Sequence, residues 1–85
     1  MRKEKQVSVD GDEFTIREIS IGEMMPIMSR LGGDDSEQAQ LDMMKLCVIV
    51  NGQPIGDAIS ELGIRTYLEL MSDVLEVNGM TEGKD

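Results

Sequence analysis

Apolar positions along the chain change period several times, and each change marks an element. Val7 and Val9 alternate with Ser8, and Phe14 and Ile16 alternate with Thr15, the period of two that a half-buried strand shows. Between them lies Asp10-Gly11-Asp12-Glu13, rich in turn formers, so the two runs predict a β-hairpin. Two registers compete. A two-residue turn at Asp10-Gly11 pairs Val7 with Phe14 and sets Val9 against Asp12. A turn centred on Gly11-Asp12 pairs Val9 with Phe14 and Val7 with Ile16, and this second register is expected because it places all four apolar side chains on one face. A lone hairpin is marginal in water, so that face must pack on something.

From Ser20 onward the period lengthens to that of helices. Ser20 and Glu23 have the spacing of a capping box, and Ile19 with Met24 that of a hydrophobic staple. A first helix over 21–31 then carries Ile21, Met24, Met25, Met28 and Leu31 on one broad face. Pro26 stands too deep for a first-turn proline, which predicts a kink or a tightened opening turn. Gly32-Gly33 ends this helix. Asp34, Asp35 or Ser36 caps the next, with Glu37 favouring its positive end. From Leu41 to Val50 only Asp42 and Lys45 are polar, which predicts a second helix over 36–50 that is buried nearly all round. The competing reading takes Val48-Ile49-Val50 as a strand entering a turn at Asn51-Gly52. In the helical reading Asn51-Gly52 is the helix stop, with Pro54 just beyond. Asp57 is the expected cap of a short helix holding Ala58, Ile59 and Leu62, closed by Gly63. The last helix, 64–78, has the clearest period: Ile64, Leu68, Met71 and Leu75, widened by Tyr67, Leu70 and Val74. Asn78-Gly79 stops it.

The elements predict an α+β fold, an N-terminal β-hairpin packed on a small bundle of three to four α-helices. The 85 residues make one domain, structured over about 7–79 with flexible ends at 1–6 and 80–85. A domain this small buries a modest core, which leaves self-association open. That core is aliphatic, since Phe14 and Tyr67 are the only aromatic residues.

Composition narrows the chemistry. Seventeen acidic residues against eight basic give a formal charge of −9, which opposes binding to nucleic acid and to anionic membranes. The longest apolar run, Leu46 to Val50, is far too short to span a bilayer, and no signal peptide is visible after the first six residues. Without histidine the chain contains no Cys–His or Ser–His pair. With one cysteine, Cys47, zinc would need a carboxylate cage. Cys47 sits in an apolar run and reads as a buried, inert thiol.

Other signals dissolve on inspection. Aligning Asp10 and Asp12 with positions three and five of an EF-hand loop puts Glu13 where glycine is required and Ile19 where the bidentate glutamate is required. Gly32-Gly33-Asp34-Asp35 is explained by helix capping. No glycine precedes a Lys-Ser/Thr pair, so there is no phosphate loop. No catalytic residue, metal ligand or cofactor site is assigned, and the sequence points to a binding protein.

Three stretches, taken together, resemble the small tail assembly chaperones of long-tailed bacteriophages of the lambda and HK97 type. Val7-Ser8-Val9 with Phe14-Thr15-Ile16-Arg17-Glu18-Ile19-Ser20 and Glu23 is similar to the family's opening strand pair and Arg-Glu-Leu-Ser/Thr segment. Leu46 to Ile55, through Asn51-Gly52 and Pro54, is similar to its apolar helix, glycine turn and Pro-hydrophobe. Leu70-Met71 and Val74-Leu75-Glu76-Val77-Asn78-Gly79-Met80 is similar to its closing helix. The chain departs from the pattern at Val50-Asn51-Gly52, where the family often has Asp-Glu-Asp-Gly, and in its scarcity of aromatics near the end.

The resemblance implies a phage protein of the host cytoplasm, absent from the mature virion. It would bind the helical tape measure protein before the tail tube polymerises, with the tail-tube protein as a second candidate partner. Eight methionines suit such a role, because an unbranched, polarizable side chain adapts to an irregular apolar partner. Met24, Met25, Met28 and Leu31 are the candidate partner-binding residues. Methionine is also ordinary filler in an aromatic-poor core, and Met71 reads that way. The alternative function is that of a small acidic phage protein that mimics nucleic acid or inhibits a host enzyme. It requires carboxylates clustered on one face, whereas here they are scattered along the sequence.

Overall fold

The computed structural model describes residues 2–80. In chain order these form β1 (Glu4–Val9), β2 (Asp12–Arg17), α1 (Ile21–Leu31), α2 (Ser36–Cys47), β3 (Val48–Val50), β4 (Gln53–Pro54), a 3₁₀ helix (Gly56–Glu61) and α3 (Ile64–Val77). The four strands make one antiparallel sheet in the order β1-β2-β3-β4; α2 and α3 pack against it, and α1 and the 3₁₀ helix pack on α2. The fold class is α+β, as the periodicity predicts. Strand β1 begins at Glu4, so residues 4–6 belong to the sheet rather than to a flexible end. Of the tail expected at 80–85, all but Met80 lies outside the described residues.

The hairpin takes the register that the sequence argument passed over. Val7 pairs with Phe14, Val9 with Asp12 and Lys5 with Ile16. The two registers differ by a slip of two residues, and a slip of two returns every side chain to the same face. One-sidedness therefore cannot choose between them. Turn chemistry does: Asp10 and Gly11 have φ of 53° and 87°, the double positive φ of the type I′ turn whose twist matches the flanking strands. Val9, Phe14 and Ile16 are buried and Val7 is half-buried. Lys5 shares their face at the open end of the hairpin. Its ammonium reaches Asp73 and Glu76 of α3, 2.9 Å from each, while the stem stays over the sheet.

The helix expected over 36–50 stops at Cys47. Val48 and Ile49 pair with Ile16 and Thr15, so 46–50 is not helical throughout: Leu46 and Cys47 close α2, and Val48–Val50 is a strand. Asn51-Gly52, with φ of 54° and 82°, is a second I′ hairpin turn to β4 rather than a helix stop. Three β-branched residues before Asn-Gly favour a strand, and β2 offers them an open edge. Arg17 ties the junction, donating from Nε to the carbonyl of Leu46 at 3.0 Å.

The buried face of α1 is Met24 and Ile27, with Leu31 half-buried; Ile21, Met25 and Met28 are exposed. The broad face read from the sequence is thus split, because Ile27 lies farther round the helix and turns the core contact towards itself. The helix runs unbroken through Pro26, without a tightened opening turn. The bond lost to proline is the one to Gly22, at the exposed start. Helix α3 is displaced in the same way. Leu70, Val74 and Val77 face the core, Met71 and Leu75 are half-buried, and Ile64 and Leu68 are exposed. Asp57 does not cap the 3₁₀ helix but pairs with Lys45 at 3.1 Å. Gly63 becomes the N-cap of α3. At the other end the Gly79 and Met80 amides donate to the carbonyls of Glu76 and Leu75 at 3.1 and 2.7 Å, closing α3 in a Schellman motif.

The fully buried side chains include Ile16, Met43, Met44, Cys47, Val48, Ile59, Leu70 and Val74, drawn from the sheet and every helix but α1. Among the described residues no helix is long and apolar enough to cross a membrane.

Candidate functional site

Helices α1 and α3 make their main contacts elsewhere, α1 with α2 and α3 with the sheet. An apolar groove lies between them. One section, of about 580 Å³, is lined by Leu31 of α1, Gln40 and Met43 of α2, Leu68, Met71, Ser72 and Leu75 of α3, and Met80. An adjoining section, of about 290 Å³, runs along the start of α1 past Ile21, Met24 and Met28, and ends at Glu18 and Asn78. Met80 lines both sections and stands between them. Glu18 is the sole ionisable residue among the linings. Lining residues stand without cover: Ile21 is 72% exposed, Leu68 56% and Met28 51%.

Local chemistry fixes both walls. The capping box forms as its spacing predicts. The Glu23 amide donates to Ser20 Oγ at 3.1 Å, and the Ser20 amide donates to Glu23 Oε1 at 3.0 Å. Hydrogen bonding from the Ser20 backbone, then its hydroxyl, and the nearby Arg2 hold the Glu23 carboxyl below its ordinary pKa of 4.5. Asn78 locks the opposite corner. Its Oδ1 accepts from the Ile19 amide at 3.1 Å, and its Nδ2 donates to the Val74 carbonyl at 2.9 Å and to Cys47 Sγ at 3.5 Å. One side chain thereby joins the approach to α1, the end of α2 and the end of α3. Burial raises the Cys47 thiol to about 11, against the Asn78 hydrogen bond that lowers it, so it stays protonated and unreactive near neutrality.

The four predicted contact residues do not stand together. Met28 is exposed and lines the groove, Leu31 lines it half-buried, and Met24 lines it from a buried position. Met25 is exposed but outside the lining. Sequence reasoning missed the whole opposite wall, Leu68, Met71, Leu75 and Met80, by giving the α3 stripe to the core. A signal was present: α3 carries two apolar stripes, Ile64-Leu68-Met71-Leu75 and Tyr67-Leu70-Val74-Val77, more than one sheet contact can cover.

Such a groove suits non-covalent binding of an apolar helix face. Thioethers of Met28, Met71 and Met80 repack at little cost, and an apolar groove between helices is the surface that helix-in-groove recognition uses. Among the described residues, no three side chains of the His, Cys, Asp and Glu class stand together in a way that could hold a metal ion. No protein-family model, curated protein or solved structure matches this chain.

Proposed function

We propose that the protein is a tail assembly chaperone of a long-tailed phage, and that the groove between α1 and α3 holds apolar helix faces of the tape measure protein until the tail tube assembles on it. The observation that carries the reading is the pair of neighbouring apolar groove sections, with Ile21, Met28 and Leu68 exposed in their linings. Soluble monomers rarely leave a large contiguous apolar surface uncovered unless it binds something. The order of the three family-like stretches supplies the identity of the partner. The charge of −9 supports the reading too, because it keeps a complex with an aggregation-prone helix dispersed. The protein acts in the host cytoplasm, meets the tail-tube protein during hand-over and is left out of the virion.

Mass spectrometry of proteins that co-purify with the tagged chain from infected cells tests this. The tape measure protein should dominate the eluate. A host nuclease in its place would favour the nucleic-acid mimic and overturn the chaperone reading.

A further inference from the structure

A second groove, of about 710 Å³, lies between the hairpin and the 3₁₀ helix and shares no lining residue with the first. It exists because β3 pairs with β2 only at Thr15 and Ile16 and then turns away at Asn51-Gly52. The Asp12–Phe14 half of β2 therefore has no strand beside it on that side. The floor of the groove is apolar, formed by Phe14, Val50, Ile55 and Leu62. Its rim is acidic, with the carboxylates of Asp12 from β2 and Glu61 from the end of the 3₁₀ helix, while the Glu13 side chain takes the opposite face of the strand, beside Ser8.

Ion pairing divides the carboxylates, and the rim falls with Glu37 and Glu69 among those without such a pair; its place over an apolar floor is what sets it apart. Glu23 is paired with Arg2, Asp73 and Glu76 with Lys5, Asp35 and Asp42 with Arg30, and Asp57 with Lys45. Asp12 and Glu61 have no such cation among the described residues, and no basic side chain lines the groove. Floor and rim make opposite demands. A purely apolar occupant would strip water from carboxylates and leave them unpaired. A purely cationic one would leave the floor wet. A second copy of this chain would bring a charge of −9 to an acidic rim.

We infer that this groove docks a basic segment of a partner protein, with one or two aliphatic side chains on the floor flanked by Lys or Arg facing Asp12 and Glu61. The assignment does not rest on the chaperone reading, since it uses other residues. It gives the chain two docking surfaces of different chemistry, one for an apolar helix and one for a basic segment.

Titration of the isotopically labelled full chain with the peptide Lys-Leu-Arg-Leu-Lys, followed by amide NMR, tests it. Shifts should be confined to 12–14, 50–55 and 58–62, and affinity should fall as salt rises. Exchanging both leucines for serine should remove binding. Asp12→Asn with Glu61→Gln should weaken it about tenfold. Glu37→Gln with Glu69→Gln, which changes net charge equally at exposed sites outside both grooves, should not. All four positions are exposed, and unchanged amide spectra of the free variants would show that each remains folded. Equal weakening by both pairs, shifts spread over the surface, binding that survives loss of the leucines, or no binding at low salt would each overturn the proposal.

Discussion

Met24 and Met28 stand one helical turn apart on α1, yet one is 7% exposed and the other 51%. The difference separates structure from binding at the level of single atoms. Met24→Gln puts an amide where no partner awaits it and should cost about 1–3 kcal/mol in urea unfolding. Met28→Gln leaves its amide in water, and the same experiment should show a change within about 0.5 kcal/mol. Phe14 is the lone phenylalanine and is buried, so Phe14→Ala should cost about 3 kcal/mol or more. A change near zero would detach the hairpin from the core. Cys47 offers an alkaline signature. Its folded pKa of about 11 lies above the ordinary 9.0, so the unfolded chain releases the proton first. Stability should be unaffected by this group below pH 9 and should fall as pH rises from 9 towards 11. Cys47→Ala should remove that part of the slope.

At the scale of elements, the chain was legible wherever one local signal acted alone. The capping box at Ser20 and Glu23, the stop at Asn78-Gly79 and the existence of the hairpin all follow from short-range chemistry, and all are present. The hairpin register was misread because facing was asked to decide what only the Asp10-Gly11 turn could decide. Residues 46–50 were misread because a run of apolar residues fits a buried helix and a buried strand equally. A local signal stood beside that run, the β-branched Val48-Ile49-Val50 before Asn51-Gly52, and the open edge of β2, thirty-odd residues away in sequence, gives the strand its partner. The two groove walls were hidden for a related reason: apolar periodicity marks a face without saying whether the chain itself covers it. The start of α1 carries a pH prediction. Glu23 is held below its ordinary value, so its contribution is complete above the unfolded pKa of 4.5 and is lost as pH falls through the lower folded value. Protection factors against amide exchange at Ser20 and Glu23 should fall over that acid range, ahead of those in the buried part of α3.

For the whole molecule, charge and groove act together. The formal charge of −9 opposes phosphate binding at every ionic strength, and gel-shift assays at low salt should show no retardation of DNA. Sequence-independent retardation at micromolar protein would contradict the charge argument. The proposed chaperone role joins that net acidity to an apolar groove with exposed Ile21, Met28 and Leu68, the combination a carrier of apolar helices needs. The most direct measurement of that claim is the soluble yield of the cognate tape measure protein co-expressed with this chain or with its Met28→Gln, Leu68→Gln variant. The native chain should keep the tape measure protein in solution, whereas the variant, with unchanged thermal unfolding, should leave it in the pellet. Full rescue by the folded variant would contradict the groove assignment.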